Sequence, residues 1–179
     1  MQRIVYLFIV CLCLSGCGVT APQRDAGFAD VDTPSWRHVD QTLSLSFGPT
    51  LLSLAAAMIE DDPQTKKMLR SLDGVRVKVY EVEPGHEQAV SETLDDMHQS
   101  LLTQAWEPVM LVQEKNESTY LLVKMEGEKV CGITALNTDR VEAVFVNVMG
   151  DLQPELFHQT VAALDVPAPE IEMAAHQAD

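Results

Sequence analysis

From position 41 onward the chain repeats short runs in which apolar and polar residues alternate or recur at helical spacing. "TLSLSF" (42–47) puts Leu43, Leu45 and Phe47 on one face, a strand signature. Gly48-Pro49 breaks it, and Pro49 suits the first position of a helix whose stripe is Leu51, Leu52, Ala55, Met58 and Ile59. Asp62 and Pro63 then serve as N-cap and first residue of a second helix through Leu72, with Gly74 where a C-terminal cap would sit. "VRVKVYEV" (75–82) sets Val75, Val77 and Val79 against Arg76, Lys78 and Tyr80, predicting a strand with one buried face and one that is at least partly wet. After Pro84-Gly85, Val90, Leu94, Met97, Leu101 and Ala105 mark a long helix over Glu87 to Ala105, closed by Trp106 and stopped by Pro108. Four strands follow, at 109–114, 119–125, 130–136 and 141–150, separated by "KNES", "EGEK" and "NTDR". Pro154 opens a last helix with Phe157, Val161 and Leu164 facing inward.

This order (strand, two helices, strand, long helix, four-strand meander, helix) predicts an α+β domain over 41–166, a largely antiparallel sheet with its helices packed on one face. Residues 17–40, with Pro22, Gly27 and Pro34 and no sustained period, are expected to form a flexible tether, and 167–179 a disordered tail. Trp36 in that tether is expected to cap the domain edge, with a dip into a membrane interface as the alternative.

The first residues carry a different pattern. A positive start with Arg3, the apolar run Ile4 to Leu14 and small residues at Ser15 and Gly16 form a secretory signal peptide over 1–16. The run is shorter than the roughly 20 residues of a bilayer-spanning helix, although an uncharged stretch continues to Pro22 and leaves an uncleaved anchor as the competing reading. Leu14-Ser15-Gly16-Cys17 resembles the bacterial lipobox. That resemblance implies cleavage before Cys17 and acyl chains (diacylglycerol and an N-acyl chain such as palmitate) on its thiol and amine. Three chains exceed what permanent membrane attachment requires. Gly18, rather than Asp, after the cysteine implies the outer membrane, facing the periplasm, by the sorting rule of such lipoproteins. Cys11 and Cys13 are apolar filler in the discarded segment, so Cys131 is the one thiol left besides Cys17.

Taken together, the lipobox and tether, "LSLSFGPTLLSLAA", "LRSLDGVRVKVYEV", "QAWEPVMLVQE", "TYLLVKMEGEKVCGITAL" and "EAVFVNVMGDLQPELFHQ" resemble the bacterial DUF4252 lipoproteins over Gln41 to Leu164. The resemblance implies an envelope location and a compact α+β domain. It implies no reaction and no functional residue beyond Cys17.

Charge narrows the partners. A formal charge of −15 argues against a nucleic acid. Neither zinc-like histidine spacing nor a surviving CxxC is present, and no metal or cofactor is expected. His98 lies beside the long helix's apolar stripe as a boundary residue, Cys131 is expected to be a buried core thiol, and the pairs Asp61-Asp62 and Asp95-Asp96 are expected to be solvated or capping. Asn116-Glu117-Ser118 matches a glycosylation sequon that means little in a bacterial lipoprotein. Five of the 12 basic residues, Lys66, Lys67, Arg70, Arg76 and Lys78, fall close together. They form either a solvated face or a docking patch for an anionic head group or an acidic envelope protein. The expected function is a lipid-anchored, non-enzymatic binding domain, with a regulatory component of an envelope-response system as the alternative and a Cys131-dependent hydrolase as a third. Replacing Cys17 tests the anchor: Cys17→Ala should abolish metabolic acyl labelling and leave a precursor-length or soluble chain, and continued labelling would refute the lipobox.

Overall fold

The computed structural model describes residues 18–31, 38–114 and 117–152. Nine elements follow in chain order: β1 (Val39–Phe47), α1 (Pro49–Met58), α2 (Pro63–Ser71), β2 (Leu72–Val82), α3 (Glu87–Thr103), β3 (Trp106–Glu114), β4 (Glu117–Glu126), β5 (Lys129–Thr138) and β6 (Glu142–Leu152). The six strands form one sheet in the order β1-β2-β6-β5-β4-β3, every neighbouring pair antiparallel. The expected α+β architecture is therefore present, with three helices packed against a six-stranded antiparallel sheet. The expected final helix, Cys17, Trp36 and Asn116 lie outside the described residues.

Local chemistry sets the boundaries. The Asp62 carboxylate accepts the Gln64 and Thr65 amides at 3.0 Å each, capping α2 as its sequence implies. Gly127, at φ 64°, turns β4 into β5, a conformation that costs other residues dearly. Asp139 closes the next hairpin by accepting the Val141 and Glu142 amides at 2.7 and 2.8 Å. Three boundaries differ from expectation. Gly74 is not a helix cap but lies inside β2, where Ala21 and Met149 leave no room for a side chain. Trp106 opens β3 instead of closing the helix, and Pro108 sits inside that strand next to a register shift. An edge strand tolerates the missing amide. In α1 the buried residues are Leu52 and Ala56, while Met58 is 77% exposed.

α3 lies across one face of the sheet. Its stripe Val90, Leu94, Met97 and Leu101 is buried, packing on Trp106, Tyr120, Leu122, Leu136 and Phe145 and, towards β2, on Tyr80, Val82 and Ala143. Residues 18–31, expected within a flexible tether, instead form a packed strap on this same face: Ala29 and Val31 are buried in the α3 cluster. Asn147, wholly buried on β6, holds the strap. Its Oδ1 accepts the Ala29 amide at 3.0 Å, and its Nδ2 donates to the Gly27 carbonyl at 3.0 Å and the Ile133 carbonyl at 3.2 Å. Gly27 passes so close to Gly132 that a Cβ on Gly132 would lie 2.7 Å from the Gly27 Cα and 2.8 Å from the Trp106 ring.

The strap also decides which way β2 faces. Arg76, Lys78 and Tyr80 point into the covered side with Asn147, Phe145 and Ala143, and Val75, Val77 and Val79 point to the other. The natural inference from the alternation, valines in and cations out, is reversed. Arg76 is accommodated because its guanidinium lies 4.2 Å from the Phe28 ring centroid and donates to the Ala29 carbonyl at 3.1 Å. Burial lowers its pKa, an effect opposed by Asp30.

Asn147→Ala should remove three hydrogen bonds and strand buried partners, costing roughly 2–4 kcal/mol. The urea-unfolding midpoint reads it, and a loss below about 0.5 kcal/mol, the scale of an ordinary surface substitution, would show that the strap does not depend on this clasp.

Candidate functional site

The second sheet face is the molecule's most unusual surface. Register aligns Leu45, Val77, Val146, Ala135, Leu121 and Met110 into one apolar row that crosses all six strands. Beside it run Phe47, Val75, Val148, Ile133, Val123 and Glu107 on one flank, and Leu43, Val79, Val144, Asn137, Thr119 and Val112 on the other. No residue of these three rows is buried, whereas the opposite face buries Tyr80, Tyr120, Leu122, Leu136, Phe145 and Met149. Leu43, Leu45 and Val112 are 41%, 38% and 38% exposed. Beyond the third row Asp40, Glu81 and Glu142 pair across β1, β2 and β6 as an acidic margin. At about 4.8 Å per strand and about 6.7 Å per row, the three rows, apolar but for Glu107, Asn137 and Thr119, span roughly 29 Å by 20 Å. That is comparable to the largest apolar patch of a typical monomer, and such patches are often functional.

The sequence contained a signal for this face that period-two reading passes over. "YLLV" in β4 and "VFVNVM" in β6 are nearly continuous apolar runs, the mark of strands apolar on both sides. Among the described residues, α3 and the strap cover one side.

The basic cluster divides. Lys66, Lys67 and Arg70 lie on α2, with Lys66 Nζ donating to the Ile59 carbonyl at 3.5 Å and Lys67 and Arg70 exposed. Arg76 and Lys78 belong to the covered face, so the five do not form one surface. Burial, and then the neighbouring Arg76, lower the Lys78 pKa.

Cys131 lines a shallow cavity of about 200 Å³ with Asp25, Asp73, Glu126, Lys129 and Asp151. Its thiol donates to the Lys124 carbonyl at 3.4 Å. Burial, then Glu126, raise its pKa, the opposite of what a nucleophilic thiolate needs. Asp73 is also raised, by burial and by the charges of Asp25 and Asp151. The residues best placed for a metal are His38, Glu83 and His86, whose ligand atoms lie within 4.8 Å of one another. Both Nδ1 atoms face the Glu83 carboxylate, at 3.2 and 3.7 Å, but the imidazoles are stacked 3.8 Å apart and 7° from parallel. An ion in the plane of one ring then lies out of the plane of the other, so holding one requires a ring to turn. As it stands the trio pins His38 to the turn before α3.

A polar group the sequence reading did not assemble lies under α3. Tyr120 donates its phenol proton to Asp95 and accepts from Gln113 Nε2 at 2.9 Å, while His98 stacks on its ring at 4.3 Å. Burial, reinforced by the Asp95 carboxylate, pushes the Tyr120 pKa up to about 12. Burial lowers that of His98, opposed by Asp95. A helix turn joins Asp95 to His98, but only the sheet register brings Tyr120 beneath them. The result is a hydrogen-bonded seam, with a phenol held protonated at neutral pH.

Residues 37–159 match the domain of unknown function DUF4252, and the chain belongs to that family. No curated protein and no solved structure matches it. No described helix is long and apolar enough to cross a membrane.

The Tyr120 contact has a defined alkaline limit. Its folded pKa exceeds the unfolded value near 10, so its contribution is complete below about pH 10 and lost as pH rises through about 12. Absorbance at 295 nm should show a late tyrosinate step near pH 12 that Tyr120→Phe removes. A step that survives this substitution would assign it elsewhere.

Proposed function

We propose that this chain is a lipid-anchored envelope lipoprotein whose α+β domain is a binding module and not an enzyme, with the open sheet face as its contact surface. One observation carries the reading: the uncharged row Leu45–Val77–Val146–Ala135–Leu121–Met110, no member of which is buried, on a chain that carries 27 acidic residues. A chain this acidic has ample charge to solvate such a face, and its acids lie instead beside it. Binding by apolar area needs no catalytic set, and the thiol at 131 sits in an acidic, pKa-raising setting.

The anchor rests on the lipobox at Leu14–Cys17, and the packing of the strap sharpens it. Gly48 donates its amide to the Val19 carbonyl at 2.7 Å, and Gly18 abuts Thr50 at the start of α1. Acyl chains on Cys17 would then hold the domain close to the membrane instead of at the end of a long tether. α2, packed beside α1, would bring Lys66, Lys67 and Arg70 within about the 15 Å length of α1 from that anchor, where anionic head groups attract cations.

Thiol labelling in intact cells tests the contact surface. Leu45→Cys and Val112→Cys in the full-length protein should react with a small hydrophilic maleimide at least tenfold more slowly than Leu54→Cys on α1, where the native side chain is 58% exposed. Equal rates would leave the face bare in the cell and overturn the binding reading.

A further inference from the structure

We infer that the occupant of the open face is a second copy of this chain, the two sheets packing face to face as a two-fold sandwich. The inference rests on the binding-module reading above and goes beyond it by naming the partner. Three features single out a copy of the same face.

The surface suits itself. Its middle is made of short, mostly β-branched side chains on a regular pleat, the kind of face that two sheets bring together about 10 Å apart. Projected, the three rows cover roughly 580 Å². Two copies, with their rims, therefore reach the roughly 1,200 Å² of total buried surface at which stable interfaces begin.

The other occupants fit less well. A single helix, the structure expected of the segment after Leu152, is about 10–12 Å wide and leaves more than half of the roughly 29 Å width uncovered. A bilayer with anionic head groups would meet the margin of Asp40, Glu81 and Glu142.

The same margin fixes the arrangement. An isologous pair has its two-fold axis in the plane of the interface. An axis parallel to the strands through the middle of the sheet would keep both acidic margins at one end and bring Glu81 on β2 of one copy towards Glu117 on β4 of the other. An axis along the Leu45–Met110 row sends the two margins to opposite ends, so that residues of this row meet their own counterparts in the partner.

The test uses two differently tagged full-length copies expressed together, both carrying Leu45→Cys, with Met110→Cys at the far end of the row as a second variant. A bismaleimide whose span matches the sheet separation of about 10 Å, applied to intact cells, should give a crosslinked species bearing both tags, at least tenfold above the parent, whose described residues hold Cys131 as the free thiol, and above Glu92→Cys on the outer side of α3. Leu45→Lys, an edge-strand change at a position already 38% exposed, should cut co-purification of the two tags at least tenfold. Absence of a doubly tagged species at both row positions would overturn the second copy. If Leu45→Cys is then still shielded from maleimide, the binding-module reading survives with another partner; if it is freely labelled, both fall.

Discussion

A single buried carboxamide organises the sheet. Asn147 sits at the middle of β6 with no exposed surface, and each of its hydrogen-bonding ends is committed: one to the Ala29 amide, the other to the carbonyls of Gly27 and Ile133. A buried amide that lacked these partners would be costly, so the strap and the residue enforce each other. Once residues 18–31 are drawn onto this face, Gly27 must pass against Gly132, and Phe28 and the Ala29 carbonyl arrive over Arg76. The cation that would otherwise oppose burial is thereby solvated by protein.

That arrangement allocates the two faces. α3 and the strap fill one side with Trp106, Phe145, Leu136 and Leu122 between them and the sheet. The valines of β2 and β6 are turned to the other. An antiparallel sheet with one solvated face ordinarily alternates apolar and polar residues. Here β2 instead places its charges inward and its valines outward, while β4, β5 and β6 carry apolar residues on both sides. The open face is thus built into the register of six strands and is not a local irregularity, and the proposed contact surface rests on that.

The polar groups elsewhere serve the fold in recognisable ways. The Tyr120–Asp95–Gln113 seam joins α3 to the sheet, and the stacked imidazoles over Glu83 join the start of β1 to the turn before α3. In each, one imidazole nitrogen, Nε2 of His98 and Nδ1 of His86, is buried without a hydrogen-bond partner among the described residues. The thiol at Cys131, with burial and Glu126 both favouring its protonated form, is poorly suited to attack a substrate.

Much of the fold was legible in the chain because it depends on neighbours in sequence. The six strands, the Pro49 and Pro63 helix starts, the Asp62 cap and the apolar stripe of α3 follow from local spacing, and with them the α+β class. Gly74, Trp106 and Pro108 were misread because a glycine or proline has the same local preference whether it caps a helix or sits in a strand, and only the partner strand decides. The sequence by itself determined which side chains of each strand share a face, since pleating fixes that alternation. It could not determine which of those faces would be covered. That choice belongs to tertiary structure, because it rests on contacts such as Asn147 with Ala29 and Arg76 with Phe28, between residues far apart in the chain whose mutual solvation exists only after the strap has closed over the sheet.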